Sequence, residues 1–333
     1  MQAIIMPQAG APDVLQLREI ETPSISNGNE LLVRVRAAGV NPVDTKLRAN
    51  GTYFLEQMPA VLGCDGAGIV EAVGDEVTRF EPGDEVYYCY GGLGKSRTGN
   101  YAEFTIVDEA YVAHKPESLS YSEAAAAPLV LITAWEALFD RAHAVPGSKV
   151  LIHAGAGGVG HAAIQLAKIA GAEVATTISS KEKADFVAGL GADKIINYRE
   201  EDFQAVILDW ADGAGVDLAF DTVGGETFTK TIPAVRCYGD LVTILQVPAD
   251  TDWKTARLEN LRISQELMLT PQIIGMKGGA QHHCRILSQC TEWIEEGQLK
   301  IHVSQTLPLS EAARAHELIE QGGMIGKIVL EIA

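Results

Sequence analysis

A string of glycines between an apolar strand and a helix is the first chemistry this sequence offers. Lys149-Val150-Leu151-Ile152-His153-Ala154 runs into Gly155-Ala156-Gly157-Gly158-Val159-Gly160, with the spacing G-x-G-x-x-G. Each glycine has a physical task there. Gly155 makes a tight turn, Gly157 lets backbone approach a pyrophosphate, and Gly160 lets helix and strand pack closely. The helix expected from Val159 to Ala170 places Val159, Ala163, Leu166 and Ala167 on one face. Its opening amides, at Gly158 and Val159, and the partial positive charge of its N-terminus suit phosphates. Such a string alone is weak evidence, but here strand, loop, helix and next strand occur in order. The segment reads as a dinucleotide site rather than a structural glycine turn.

The next strand, Glu173 to Ile178, ends where an NAD enzyme places an acid against the ribose 2′-hydroxyl. This chain has Thr177-Ile178-Ser179-Ser180-Lys181-Glu182-Lys183 instead. Glu173 opens the strand and belongs to the opposite edge of the sheet. The hydroxyls of Ser179 and Ser180 with a nearby lysine suit a 2′-phosphate, which a carboxylate would repel. NADPH is therefore favoured over NADH, with solvated helix charges as the competing reading of Lys181 and Lys183.

The elements that must position these groups follow from the pattern of the chain. Leu31 to Ala37 alternates apolar and charged residues, and Gly68 to Val73 and Glu85 to Tyr88 are further extended runs punctuated by Gly74-Asp75 and Pro82-Gly83-Asp84. Short strands with such turns suggest a small antiparallel barrel or sandwich. An Ala-rich helical stretch from Ser122 to Ala144 ends at Pro146-Gly147. Strands are then expected at Lys149–Ala154, Glu173–Ile178, Lys194–Tyr198, Val216–Asp221 and Asp240–Leu245, with Gln272–Met276 as a sixth candidate. Joined by helices, they predict an α/β fold with a doubly wound parallel sheet. Lys327–Ile332 is a final strand.

Bulk properties narrow the function classes. At 333 residues and 47% hydrophobic content the chain suffices for two domains. Its net charge of −18 repels nucleic acid and anionic lipid alike. The opening residues lack a secretory signal and no apolar run approaches the length of a bilayer span, so a cytoplasmic location is expected, without a membrane or nucleic-acid partner. Cys64, Cys89, Cys237, Cys284 and Cys290 are scattered and never spaced C-x-x-C, against a disulfide framework or a structural zinc.

An ordered set of motifs resembles a family. Ala38-Gly39-Val40-Asn41-Pro42-Val43-Asp44, Leu62-Gly63-Cys64-Asp65-Gly66-Ala67-Gly68, Pro82 to Val86, Ala154 to Gly160 and Gly326-Lys327-Ile328-Val329-Leu330 resemble the medium-chain dehydrogenases/reductases along nearly the whole chain. The branch resembles the zinc-independent quinone oxidoreductases, to which zeta-crystallin belongs. The resemblance implies a GroES-like β-barrel catalytic domain beginning in residues 1–122, a Rossmann domain in 123–276 and a return segment, 277–333, completing the catalytic domain. It also implies a homodimer or homotetramer pairing through Rossmann edge strands, with Gln272–Met276 as the candidate contact.

Zinc-dependent relatives carry Cys at the position of Asn41 and a His-Glu pair at that of Cys64-Asp65, so the resemblance implies no metal. Tyr198 matches a tyrosine against the adenosine 2′-phosphate and Lys183 its basic partner; a strand-end aromatic capping the core is the alternative for Tyr198. Thr133 matches a position beside the nicotinamide, or is a buried helix hydroxyl bonded to its own backbone. Lys327, in the last motif, joins the cofactor-binding set. Tyr53 resembles a pocket tyrosine that donates a proton in related enoyl reductases, or is only an apolar wall. Asn41 is a neutral donor for charge developing on a substrate oxygen, or a turn residue before Pro42. Asp44 could orient neighbouring polar groups, or be a surface or turn carboxylate.

The chemistry implied is hydride transfer from NADPH to a quinone or an α,β-unsaturated carbonyl. A zinc-free ketone or alcohol dehydrogenase, and an NADPH-binding sensor or structural protein without turnover, are the alternatives. His282-His283-Cys284 looks metal-like, but neighbours on a helix point about 100° apart, and an exposed helix face is expected there. His153 is expected to be a satisfied core histidine.

Overall fold

The structure, a computed structural model, describes residues 1–95 and 98–333. It divides into two compact units: unit 1 holds Met1–Leu129, Leu269–Gly297 and Ile301–Ala333, and unit 2 holds Val130–Met268 and Gln298–Lys300. The chain opens with β1 (Gln2–Met6), β2 (Gln16–Glu19), β3 (Glu30–Val40), α1 (Pro42–Asn50), β4 (Ala60–Val61), β5 (Asp65–Val73), β6 (Glu85–Cys89), β7 (Phe104–Asp108), β8 (Val112–His114) and α2 (Tyr121–Ala126). The long strand β3 organises this unit. It pairs antiparallel with β5 and β7, and its register with β5 shifts twice, between Leu32 and Val33 and between Val35 and Ala37. Such irregularities bend a strand and increase its twist. Its alternation puts Leu31 and Val33 inside, against Val70, Phe80, Val86, Tyr88, Val107 and Val112.

Unit 2 follows α3 (Pro128–Trp135) with β9 (Lys149–Ile152), α4 (Gly158–Ile169), β10 (Glu173–Ile178), α5 (Lys181–Gly189), β11 (Lys194–Asn197), α6 (Phe203–Trp210), β12 (Val216–Asp221), α7 (Glu226–Thr231), β13 (Val235–Thr243), α8 (Trp253–Leu258) and β14 (Arg262–Gln265). The sheet order β11-β10-β9-β12-β13-β14 is parallel throughout. Counted from β9 it is the 3-2-1-4-5-6 order of a doubly wound dinucleotide fold, whose order reverses beside the first strand. Leu151, Ala175 and Ile196 from the sheet pack with Phe203, Ile207 and Phe228 from the helices. Fully burying a leucine, isoleucine or phenylalanine side chain of this kind contributes about 1.5–3 kcal/mol.

The return segment adds α9 (Thr270–Ile274), α10 (Lys277–Glu295), β15 (Val303–Pro308), α11 (Ala312–Gln321) and β16 (Lys327–Glu331). β16 lies antiparallel on β3, Ile328 opposite Val40, and β15 lies parallel on β16, so the sheet of unit 1 is mixed.

Three expectations are corrected. Gln272–Met276 is not a strand: Pro271 starts α9 and Gly275, at φ 71°, ends it, so the sixth strand is β14 and the edge-strand contact assigned to Gln272–Met276 is withdrawn. The helical stretch from Ser122 is broken at Pro128 into α2 and α3, and Glu136–Arg141 winds as a π-helix. His283 and Cys284 are buried rather than on an exposed face: Cys284 Sγ donates to the Val112 carbonyl at 3.1 Å and accepts from Arg79, and His283 lies against the Tyr111 ring. Among the described residues no helix is long and apolar enough to cross a membrane.

Candidate functional site

In unit 2 the chain leaves β9 through His153 and Ala154, and Ala154 takes a left-handed φ of 51°. That conformation costs a residue with a Cβ on the order of 1 kcal/mol or more. The glycines that follow are required for different reasons. A Cβ on Gly155 would lie 2.0 Å from Thr176 Oγ1, and one on Gly160 2.3 Å from the Ala154 carbonyl, so packing inside the protein forbids both. A Cβ on Gly157 would meet only the Ala154 carbonyl, at 3.2 Å. Its bareness instead keeps open the N-terminus of α4, where Gly157 is the N-cap and no acidic residue occupies the first turn. The amides of Gly158, Val159 and Gly160 have no partner within the helix. This cradle fits a diphosphate.

A cavity of about 490 Å³ lies at the C-terminal ends of the strands, lined by His153, Ala154, Thr177, Tyr198, Phe203 and Val223 among others. Its walls come from both sides of the point where the strand order reverses, the place where open α/β sheets bind ligands. Beyond β10, Ser180 caps α5 by accepting from the Lys183 amide at 3.3 Å, and Lys183 Nζ reaches Ser179 Oγ at 3.3 Å. The Tyr198 amide donates to the Ile178 carbonyl at 3.1 Å, which brings a ring 52% exposed to the same sheet corner. Ser179, Ser180, Lys183 and Tyr198 thus share one end of the sheet. Lys181 turns away into a solvated pair with Asp185, and Glu173 pairs with Lys149 at the strand's opening end. Thr133 is buried in α3.

In unit 1, β16 beside β3 carries Lys327 to Asn41. The Lys327 ammonium donates to Asn41 Oδ1 and to the Val40 carbonyl at 3.2 Å, and stands 3.7 Å from Asp65 Oδ2. Asn41 Nδ2 donates to the same Asp65 oxygen at 2.9 Å, and the Leu129 amide donates to the other. Asp44, on the first turn of α1, accepts from the Asn41 backbone N–H at 2.8 Å and from the Tyr101 hydroxyl, which also meets His316 Nε2 at 3.2 Å. Asn41, Asp44, Asp65 and Lys327 are all buried. Burial, reinforced by Asp65, pushes the Asp44 carboxyl up to about 6. Burial raises Asp65 and lowers Lys327, each opposed by the other's charge. Asp44 is therefore no surface carboxylate, and the Asn41 amide is held between a cation and an anion. Tyr53 stands outside this cluster, 46% exposed.

The cluster also tests a zinc. Both oxygens of Asp65 already accept hydrogen bonds, Asn41 Oδ1 faces an ammonium, and the Cys64 thiol is pushed far above its ordinary range by burial and by neighbouring Asp44. A divalent cation here would meet a protein cation at close range. These residues do not fit a zinc ion. Sequence reasoning missed Tyr101 and His316, which are distant in the chain and carry no motif; only tertiary packing brings them to Asp44.

Comparison with known proteins agrees with this architecture. Residues 27–117 match the alcohol dehydrogenase GroES-like domain and residues 190–330 a domain described as zinc-binding dehydrogenase. A quinone oxidoreductase of Pseudomonas aeruginosa and a zinc-type alcohol dehydrogenase-like protein of Staphylococcus aureus are each 34% identical, over 96% of both chains. The Escherichia coli quinone oxidoreductase, solved in complex with NADPH, superposes with a TM-score of 0.86 at 28% identity, covering 99% of this chain and all of that one. The chain belongs to the medium-chain dehydrogenase/reductase superfamily of oxidoreductases, with quinone oxidoreductases among its relatives.

Proposed function

We propose that this chain is an NADPH-dependent, metal-free reductase of the cytoplasm that delivers hydride to quinones or α,β-unsaturated carbonyls. The end of β10 carries the reading: where an acid would select NADH, the hydroxyls of Ser179 and Ser180 and the ammonium of Lys183 stand beside Tyr198. The NADPH complex of the Escherichia coli relative supports the same choice.

NADPH, when bound, supplies the hydride. The amides opening α4 would hold its diphosphate, Lys183 and Tyr198 its 2′-phosphate, and Thr133 its nicotinamide end. Lys327 fills the Asn41–Asp65 cluster with its amino group, which supports chemistry without a metal. Asn41, Asp44 and Lys327 would set the electrostatics of the reacting region, and the exposed Tyr53 is the candidate proton donor. Pairing with a second copy through an edge strand of the parallel sheet, β11 or β14, is proposed as the assembly; light scattering that gives a monomer mass would remove it.

The test is turnover. Purified protein is given NADPH or NADH with quinones, enals, enones and simple ketones while nicotinamide absorbance is followed. Oxidation of NADPH by quinones or enones is expected. Turnover with simple ketones alone would establish a ketone or alcohol dehydrogenase instead, and tight NADPH binding without turnover a sensor.

A further inference from the structure

His153 lies on the floor of the unit 2 cavity with both ring nitrogens bonded. The directions of those bonds follow from the partners. Thr231 spends its one hydroxyl proton on the Thr227 carbonyl at 2.7 Å, so it accepts from His153, whose Nε2 lies 2.8 Å away and must carry the proton. In a neutral ring Nδ1 is then an acceptor, and it faces Thr177 Oγ1 at 3.2 Å. Thr177 Oγ1 donates to it and accepts in turn from the Ala154 amide at 3.0 Å. The chain of donors runs without conflict from Ala154 on the loop, through Thr177 at the end of β10 and His153, to Thr231 and Thr227 on α7.

This chain ends at the strained residue. Ala154 is the turn residue with φ 51°, and its carbonyl accepts from the Gly157 amide at 2.9 Å. Thr222 holds the same corner by donating to the His153 carbonyl at 2.7 Å, and Phe203 packs edge-on to the imidazole at 4.9 Å. Burial lowers His153 to about 4 against the opposing charge of Asp221, so the ring is neutral at physiological pH, as the donor chain requires.

We infer that His153 is a positioning residue for the dinucleotide: as a neutral Nε2–H imidazole it locks the left-handed turn at Ala154 and so aims the amides of the glycine-rich loop. The inference rests on the coenzyme reading above.

Three variants test it, with dissociation constants for NADPH and for 2′,5′-ADP measured beside the thermal midpoint and steady-state constants. His153→Phe keeps a ring but removes both bonds. Both dissociation constants and the KM for NADPH are expected to rise together, on the order of tenfold, while kcat at saturating NADPH is unchanged. His153→Gln, which restores a donor and an acceptor, should recover most of the affinity. Should His153→Phe fail to fold, Thr231→Val leaves the imidazole in place, removes the acceptor of Nε2–H together with the hydroxyl's bond to the Thr227 carbonyl, and should raise the same constants less. Unchanged dissociation constants in a folded His153→Phe or Thr231→Val protein, even with a lowered thermal midpoint, overturn the inference. Wild-type protein that binds neither NADPH nor 2′,5′-ADP would overturn the coenzyme reading instead.

Discussion

Replacing Lys327 by methionine removes the cation paired with buried Asp65 while keeping most of the side-chain volume. The Lys327 side chain is 4% exposed, Asp65 is fully buried, and their charges lie 3.7 Å apart. With an effective dielectric constant near 20, two unit charges at that distance attract by roughly 4 kcal/mol. Removing one partner of a buried pair characteristically costs about 3–5 kcal/mol, because the other charge is left uncompensated. Against a total stability of about 5–15 kcal/mol, Lys327→Met should lose a large part of the folded margin. Urea titrations of Lys327→Met, Asp65→Asn and the double variant supply the assay. The double variant removes both members of the pair and leaves Asp44 as the neighbouring buried carboxyl, and its loss should fall short of the sum of the single losses by about 2 kcal/mol or more. Losses that simply add, or a Lys327→Met protein as stable as wild type, would refute the buried-pair account and with it the argument that an ammonium fills this cluster.

The remaining expectations concern binding, metal and pH. Lys183→Ala and Tyr198→Ala should weaken NADPH by on the order of tenfold or more and leave NADH nearly unchanged; equal losses in titrations with the two coenzymes would remove the 2′-phosphate assignment. Gly157→Val should fold with a near-native melting curve yet lose NADPH, since its branched side chain enters the open cradle, whereas Gly160→Val should fold poorly because its Cβ is driven into the Ala154 carbonyl. Prolonged dialysis against a strong chelator should leave turnover intact; a loss restored by zinc would overturn the metal-free reading. Glu266, buried beside Glu136 and bonded to Arg141, has its carboxyl pushed up to about 8 by burial and then by Glu136. A folded-state value above the unfolded one means stability fully present below about 4.5 and lost as pH rises through about 8. Denaturation at pH 5, 7 and 9 should therefore show wild type losing more stability with rising pH than Glu266→Gln does.

The parallel sheet and the nucleotide loop were legible from residues alone because their determinants are local. Apolar runs at strand length, turn glycines and the order strand, loop, helix, strand all act over a few residues, and the absence of an acid after Ile178 needs no fold to be noticed. The helix at Thr270–Ile274 was misread because a short apolar run satisfies strand and helix alike, and Pro271 and Gly275 outweighed it. Cys284 meets Arg79 and Val112 and His283 faces the Tyr111 ring, partners that a reading of one helix does not include.

What is readable in this sequence by itself is a G-x-G-x-x-G loop between strand and helix, the hydroxyls and lysine that follow the next strand, and the family its motifs resemble. Tertiary structure decided which groups are spent on one another: Lys327 on Asn41 and Asp65, Asp44 on Asn41 and Tyr101, His153 on Thr177 and Thr231. Hydrogen bonds and charge pairing are short-ranged and directional. Partners hundreds of residues apart in the chain become neighbours only when β16 returns to lie on β3.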